Sequence, residues 1–337
     1  MKAMVLQAPG ELGPDELPQP SPAAGGVLVQ VTHSGICGTD FKIYNGSIPV
    51  TYPRVMGHEM AGHVVEAGDG AFRPGDSVII DPQLYCGACF HCRTGQTHLC
   101  PNGMLIGRDT NGGFAEYVTA PASHVFPLPD SIDRRTAPLV QVLTTCVHAQ
   151  RKIDILPGES VAVYGLGVTG QLHVQLAKAR GAGTVIGITR SAAKRELAET
   201  LGADLTLPGG EGIVDQVRNA TDGRGVDVVI ETTGVIPIVA SSIAIARSGG
   251  RLLLFGIITA KEGALPFYDL YFKELSLIGA RVATSEDYPS SIALVEQGQV
   301  RLEPLVSHVM PLGELKAAID MLGSNDPGRM KVILDHS

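Results

Sequence analysis

The chain has 337 residues, of which 26 are Lys or Arg and 34 are Asp or Glu, for a formal net charge of −8. That length predicts two domains rather than one, and a mildly acidic chain without a basic stripe is a poor partner for nucleic acid. The apolar run Met1–Leu6 meets Pro9-Gly10 too soon for a signal peptide or a membrane span, so the expectation is a cytoplasmic protein with no membrane association.

The first stretch predicts short strands and turns. Val27–Val31 and Ala61–Glu66 are β-rich, and Arg73-Pro74-Gly75-Asp76 is a turn that feeds a strand at Ser77–Ile80. Gly and Pro punctuate the chain up to about Asp130, which predicts a β-rich domain. Two short motifs in it suggest metal chemistry. Gly35-Ile36-Cys37-Gly38-Thr39-Asp40 sets a cysteine beside a hydroxyl, and Gly57-His58-Glu59 follows about twenty residues later. A catalytic zinc takes about three protein ligands, commonly Cys and His, and keeps one position open. Cys37 and His58 suit that role, and Thr39 is placed to relay an alcohol proton.

Four of the six cysteines follow in one short run, Cys86, Cys89, Cys92 and Cys100. Such clustering in a reducing compartment points to metal rather than disulfides. Four thiolates close the shell of a structural zinc. Four cysteines also bind an iron–sulfur cluster, and spacing does not separate the two.

Beyond Ile132 the rhythm changes. Helical periodicity over 136–151 leads to a buried strand at Ser160–Tyr164, a helix over 165–180, a strand at Thr184–Ile188 and a helix over 191–201. Further strands are expected at Val226–Ile230, Arg251–Phe255 and Leu275–Gly279, then a helix near 314–322 and a strand at Met330–Leu334. Alternating strand and helix predict a doubly wound parallel sheet. Gly165-Leu166-Gly167-Val168-Thr169-Gly170 follows the first of these strands and opens a helix, the context that makes G-x-G-x-x-G a dinucleotide loop. Its helix N-terminus offers N–H groups to a pyrophosphate. The second strand ends in Thr189-Arg190-Ser191 with no carboxylate to bind a ribose 2′-hydroxyl. Arg190 suits a 2′-phosphate, with Thr189 and Ser191 as hydroxyl donors and Lys194 and Arg195 one turn on. NADP(H) is therefore expected over NAD(H).

Together these motifs, with Glu231-Thr232-Thr233-Gly234 and Ser248-Gly249-Gly250-Arg251, make the chain similar to the zinc-containing medium-chain dehydrogenases/reductases over its whole length. It most resembles the sorbitol, threonine and secondary-alcohol dehydrogenases. The resemblance implies a GroES-like catalytic β domain, 1–139 and 284–337, and a Rossmann domain, 140–283. It implies Cys37 and His58 as ligands of a catalytic zinc, Glu59 as a carboxylate that approaches the metal, and Thr39 as the group that takes the substrate proton. It places Thr144 beside the nicotinamide and Lys331 where a basic residue meets cofactor phosphates. A homodimer or homotetramer acting on a small alcohol or ketone follows as well.

Two departures stand out. Where relatives carry a further Cys, Glu or Asp ligand, this chain aligns Gln141, a neutral and weaker donor. Where many relatives carry a proton-relaying His, it has Lys42. Residues Ile43, Tyr44, Ile48, Tyr52 and Leu84 are expected near the substrate. Two rival functions remain at this stage: a zinc-free enone or quinone reductase, which Cys37, His58 and Glu59 together disfavour, and a non-catalytic NADPH-binding protein on the same fold.

Overall fold

The computed structural model describes residues 1–68, 70–324, 326 and 328–337. The chain divides into two compact units. The first is Met1–Thr144 with Val282–Glu296 and Leu305–Ser337; the second is Thr145–Arg281 with Gln297–Pro304.

In chain order the first unit contributes β1 (Lys2–Ala8), β2 (Glu11–Glu16), β3 (Gly26–Gly35), α1 (Gly38–Tyr44), β4 (Arg54–Val55), β5 (Glu59–Ala67) and β6 (Ser77–Ile80). Then come β7 (Gln83–Leu84), α2 (Phe90–Arg93), β8 (Met104–Leu105), β9 (Tyr117–Pro121) and β10 (Val125–Pro127). Helix α3 (Leu139–Ile153) starts directly after Pro138, three residues later than its periodicity suggests, because proline is suited to a helix start.

The second unit follows with β11 (Ser160–Tyr164), α4 (Val168–Ala179), β12 (Thr184–Ile188), α5 (Ala192–Thr200), β13 (Leu205–Leu207), α6 (Ile213–Asn219) and β14 (Val226–Glu231). It ends with α7 (Ile236–Ile245), β15 (Ala246–Leu254), α8 (Phe267–Phe272) and β16 (Ser276–Gly279). The chain then returns to the first unit through α9 (Asp287–Glu296), β17 (Val306–Pro311), α10 (Leu315–Gly323) and β18 (Lys331–Asp335). Neither α9 nor β17 is among the elements the sequence pattern predicts.

The main sheet of the first unit has the order β10-β6-β5-β3-β18-β17, with β9 also paired to β3. Strand β3 is shared: its start pairs with β9, from Gly26↔Pro121 to Gln30↔Tyr117, and its end pairs with β18, at His33↔Asp335 through Gly35↔Ile333. Val27, Val29, Val31, Met60, Val64, Val78 and Ile80 form one core on this sheet. A second core joins Met4, Leu6, Ile43 and Met56 to Leu315, Ile319, Val332 and Leu334.

The second unit is a wholly parallel sheet of order β13-β12-β11-β14-β15-β16. This is the 3-2-1-4-5-6 order of a doubly wound dinucleotide fold. Every residue of β11 is buried, as expected for a strand covered on both faces. The segment Gln297–Pro304 sits with this unit because the Gln175 carboxamide clasps Arg301. Its Oε1 accepts the Arg301 N–H at 2.7 Å and its Nε2 donates to the Arg301 carbonyl at 3.1 Å. Among the described residues no helix is long and apolar enough to cross a membrane.

Candidate active site and metal centres

Two strands bring the first candidate site together. Strand β3 leaves the sheet at Gly35 and antiparallel β5 enters it at Glu59, and these two residues are register partners. Cys37, just past the exit, and His58, just before the entry, are thus neighbours although distant in sequence. The ligand atoms of Cys37, His58 and Glu59 all lie within 4.8 Å of one another. Cys37 is the N-cap of α1, and Asp40 at the third helical position accepts the Cys37 N–H at 2.8 Å. The arrangement is that of a capping box.

Asp40 has a second role. It is fully buried, and its other oxygen faces His58 Nδ1 at 3.4 Å. That leaves the His58 Nε2 for a metal. Burial pulls the His58 pKa down, but Asp40 and the Cys37 sulfur outweigh it and hold the imidazole well above its usual range. A buried site that draws a proton onto its histidine carries an excess of negative charge. A divalent cation satisfies the same demand, so the donor set fits zinc. Asp40 is the functional residue that the sequence reading passed over. Its signal was the C-x-x-D spacing of a helix N-cap with its third position.

Glu59 is held from the other side. The Lys331 ammonium, at the start of β18, makes a buried ion pair with Glu59 and donates to the Ile36 carbonyl at 3.0 Å. A Cβ at Gly35 would collide with the Glu59 carboxylate and stand 2.8 Å from Lys331 Cε, which explains the glycine. Lys331 is thus a buried neighbour of Glu59 in the first unit. Gln141 lies buried in the first turn of α3. Thr144, one turn on, is fully buried, with its hydroxyl donating to the Val140 carbonyl at 2.7 Å. Thr39 and Lys42 are half-buried on α1.

Of the five apolar residues expected near the substrate, four share one core region and the fifth lies at the other. Ile43 is core, Tyr44, Ile48 and Tyr52 pack against that same core, and Leu84 packs on the other one.

The second site is the loop between β7 and β8. Its Sγ atoms stand 3.4 Å apart for Cys89 and Cys92, 3.9 Å for Cys89 and Cys100, and 4.0 Å for Cys86 and Cys92. Four sulfurs about 2.3 Å from one zinc lie about 3.8 Å apart. An iron–sulfur cluster interposes sulfides and spreads its thiolates wider. The spacing therefore fits a single tetrahedral ion. Backbone N–H groups of Ala88 and Cys89 lower the Cys86 pKa, and the N–H of Cys92 points to Cys89 Sγ at 3.5 Å. These donors favour thiolates, as a metal requires.

In the second unit, Gly165 turns the chain with φ +87° and α4 begins at Val168, with Gly167 as its N-cap. The three-residue delay against the sequence pattern is this turn. A Cβ at Gly170 would strike the Gly165 carbonyl, so helix and loop approach as a dinucleotide fold requires. The Leu166 side chain is buried against Gly187, leaving its backbone to the loop. Val168 and Thr169 open the first turn. Beyond β12, Thr189 is half-buried and Arg190 exposed, and Ser191 caps α5 through the Lys194 N–H at 3.5 Å.

Known proteins are similar to this chain in sequence and fold. Residues 23–130 match the alcohol dehydrogenase GroES-like domain and residues 168–297 the zinc-binding dehydrogenase domain. The chain is 34% identical over 319 residues to a 2-dehydro-3-deoxy-L-galactonate 5-dehydrogenase of Pseudoalteromonas atlantica, covering 94% of this chain and 93% of that one. It is 32% identical over 342 residues to a sorbitol dehydrogenase of Halalkalibacterium halodurans, covering 99% of each. Its fold is similar to a zinc-binding dehydrogenase of Sinorhizobium meliloti solved with NADP, with TM-score 0.94, 34% identity and 99% of each chain covered. The chain belongs to the zinc-containing medium-chain dehydrogenase/reductase family.

Proposed function

We propose that the protein transfers a hydride between NADP(H) and a small alcohol or ketone, of the polyol or secondary-alcohol kind, at a zinc centre in the first unit. The observation that carries this reading is the convergence of Cys37, His58 and Glu59 with Asp40 behind the histidine. When bound, zinc supplies a Lewis acid that lowers the alcohol pKa, and the nicotinamide supplies the hydride acceptor or donor. Cys37 and His58 would hold the metal, with Glu59 and Gln141 as the remaining oxygen donors. Thr39 takes the hydroxyl proton. Lys42 lies three residues on along α1, so the two share a helix face and Lys42 is placed to pass that proton outward. Thr144 supports the nicotinamide side of α3 through packing. Cys86, Cys89, Cys92 and Cys100 would hold a second, structural zinc.

The loop of Gly165, Leu166, Gly167, Val168, Thr169 and Gly170 would take the pyrophosphate on backbone N–H groups. Thr189, Arg190 and Ser191 select NADP(H), because they offer a cation and hydroxyls where NAD selection needs a carboxylate. We read the protein as cytoplasmic and as a homodimer or homotetramer. Among the described residues strand β16 has a neighbour on one side only, and Phe267, Tyr268, Tyr271 and Phe272 on α8 are exposed.

Zinc per chain and NADPH-dependent turnover on a panel of polyols and secondary alcohols test the reading, in wild type and Gln141→Glu. Two zinc ions with turnover support it. One zinc, rising to two in Gln141→Glu, assigns the weak site to Gln141. Tight NADPH binding with no turnover by either protein overturns it in favour of a cofactor-binding protein.

A further inference from the structure

Arg195 and Gln171 of the second unit donate to four backbone carbonyls that lie in or beside the two cofactor loops. Arg195, on α5, directs one Nη1 at the Thr189 carbonyl, 2.8 Å away, and the Arg190 carbonyl, 3.0 Å away. Gln171, fully buried on α4, directs its Nε2 at the Leu166 carbonyl at 3.2 Å and the Lys194 carbonyl at 2.8 Å. Arg195 thereby ties the end of β12 to α5, and Gln171 ties α5 to the glycine loop. The Leu166 side chain completes the link from below, since a Cβ at Gly187 would be 3.0 Å from its Cδ1.

The electrostatics give these bonds a purpose. A carbonyl left without a donor beside a bound phosphate presents its negative end to an anion. The guanidinium of Arg195 covers two such carbonyls and adds a positive charge behind them. Arg190 and Ser191 are then free to face a ligand from a fixed backbone. A loop that needs no reordering on binding loses less entropy when a ligand arrives.

We propose that Arg195 and Gln171 are positioning residues for cofactor selection: they fix the Thr189-Arg190-Ser191 loop at a set distance from the glycine loop, so that a 2′-phosphate and a pyrophosphate are held at once. This rests on the NADP(H) reading given above. With no carboxylate at the end of β12 to bind a ribose 2′-hydroxyl, NADH engages chiefly the glycine loop here, so loosening the second loop affects it little.

The test is calorimetric titration of zinc-loaded protein with NADPH and with NADH. It compares wild type, Arg195→Met, Arg195→Lys and Gln171→Met, each checked for an unchanged melting profile. In Arg195→Met the NADPH dissociation constant is expected to rise roughly ten-fold and that of NADH no more than about two-fold. Gln171→Met shifts the ratio in the same direction, and Arg195→Lys, which keeps a cationic donor, recovers part of it. Equal losses for both cofactors in Arg195→Met and Gln171→Met overturn the proposal and leave a merely structural role. If Arg195→Met does not fold, Gln171→Met and Arg195→Lys decide by the same ratio. A wild type that binds NADH as tightly as NADPH overturns the cofactor reading and this proposal with it. A wild-type preference that survives in the variants overturns this proposal alone.

Discussion

The Asp40 carboxylate stands between two candidate ligands, accepting the Cys37 N–H at 2.8 Å with one oxygen and facing His58 Nδ1 at 3.4 Å with the other. One buried side chain thus sets both the turn that presents the thiol and the tilt of the imidazole. Asp40→Asn keeps the shape and removes the charge. Loss of such a supporting carboxylate weakens metal binding about 10–100-fold. Competition with a chelator should show zinc leaving one site of the variant at lower chelator concentration, while the four-cysteine site is unaffected. Equal retention in variant and wild type would refute the assignment.

Lys331→Met leaves the Glu59 carboxylate buried without its partner. Removing one member of a buried pair costs about 3–5 kcal/mol. A nearby zinc ion offsets the orphaned charge, so the variant should gain more thermal stability from added zinc than wild type does. Melting curves with and without zinc read this directly. The double variant Lys331→Met with Glu59→Gln should lose that extra zinc dependence.

Asp81 gives a pH signature. It is buried, its oxygens accept from Ser285 Oγ at 2.7 Å and the Gln83 N–H at 3.0 Å, and burial raises its pKa to about 6. A carboxyl raised above its ordinary 3.8 holds its proton more tightly when folded. Its contribution is therefore favourable below that value and is lost as pH climbs from about 4 to about 6. Asp81→Asn should flatten the stability profile over that window and stabilise the protein near neutral pH by about 1–3 kcal/mol. Denaturant titrations at pH 4.5 and 7.5 provide the comparison, and an unchanged slope would count against it.

Cys100→Ser removes one of four converging thiolates. Zinc content should fall by one ion per chain, and limited proteolysis should cut first within the segment 86–100. Turnover, if tested promptly at low temperature, should persist, because the Cys37 cluster lies on other elements. Loss of both ions at once would mean that the two centres are not independent.

What could be read from the chain alone was whatever is encoded at short range. The cysteine run and the glycine loop each lie within a few consecutive turns, so spacing revealed them. The alternation of strands and helices gave the parallel sheet, with ends displaced where Pro138 and Gly165 impose their own geometry. Cys37 and His58 could be suspected from residue type, yet their meeting depends on the Gly35↔Glu59 register, which no local pattern specifies. The Lys331–Glu59 pair and the Arg301 clasp join residues far apart in sequence, and the apolar residues of α1 turned inward to a core that periodicity could not locate.

The division of β3 between two partners also orders events during synthesis. Pairing with β5 and β9 can form once residue 121 has left the ribosome, but the end of the strand stays open until β18 appears. At roughly 5–20 residues per second, that interval is on the order of 10–50 s. The thiol-rich lobe is complete by Cys100, whereas the Cys37 cluster lacks Lys331 until the sheet closes. The four-cysteine cluster can therefore assemble early in synthesis, whereas the surroundings of the Cys37 cluster are completed only when β18 closes the sheet.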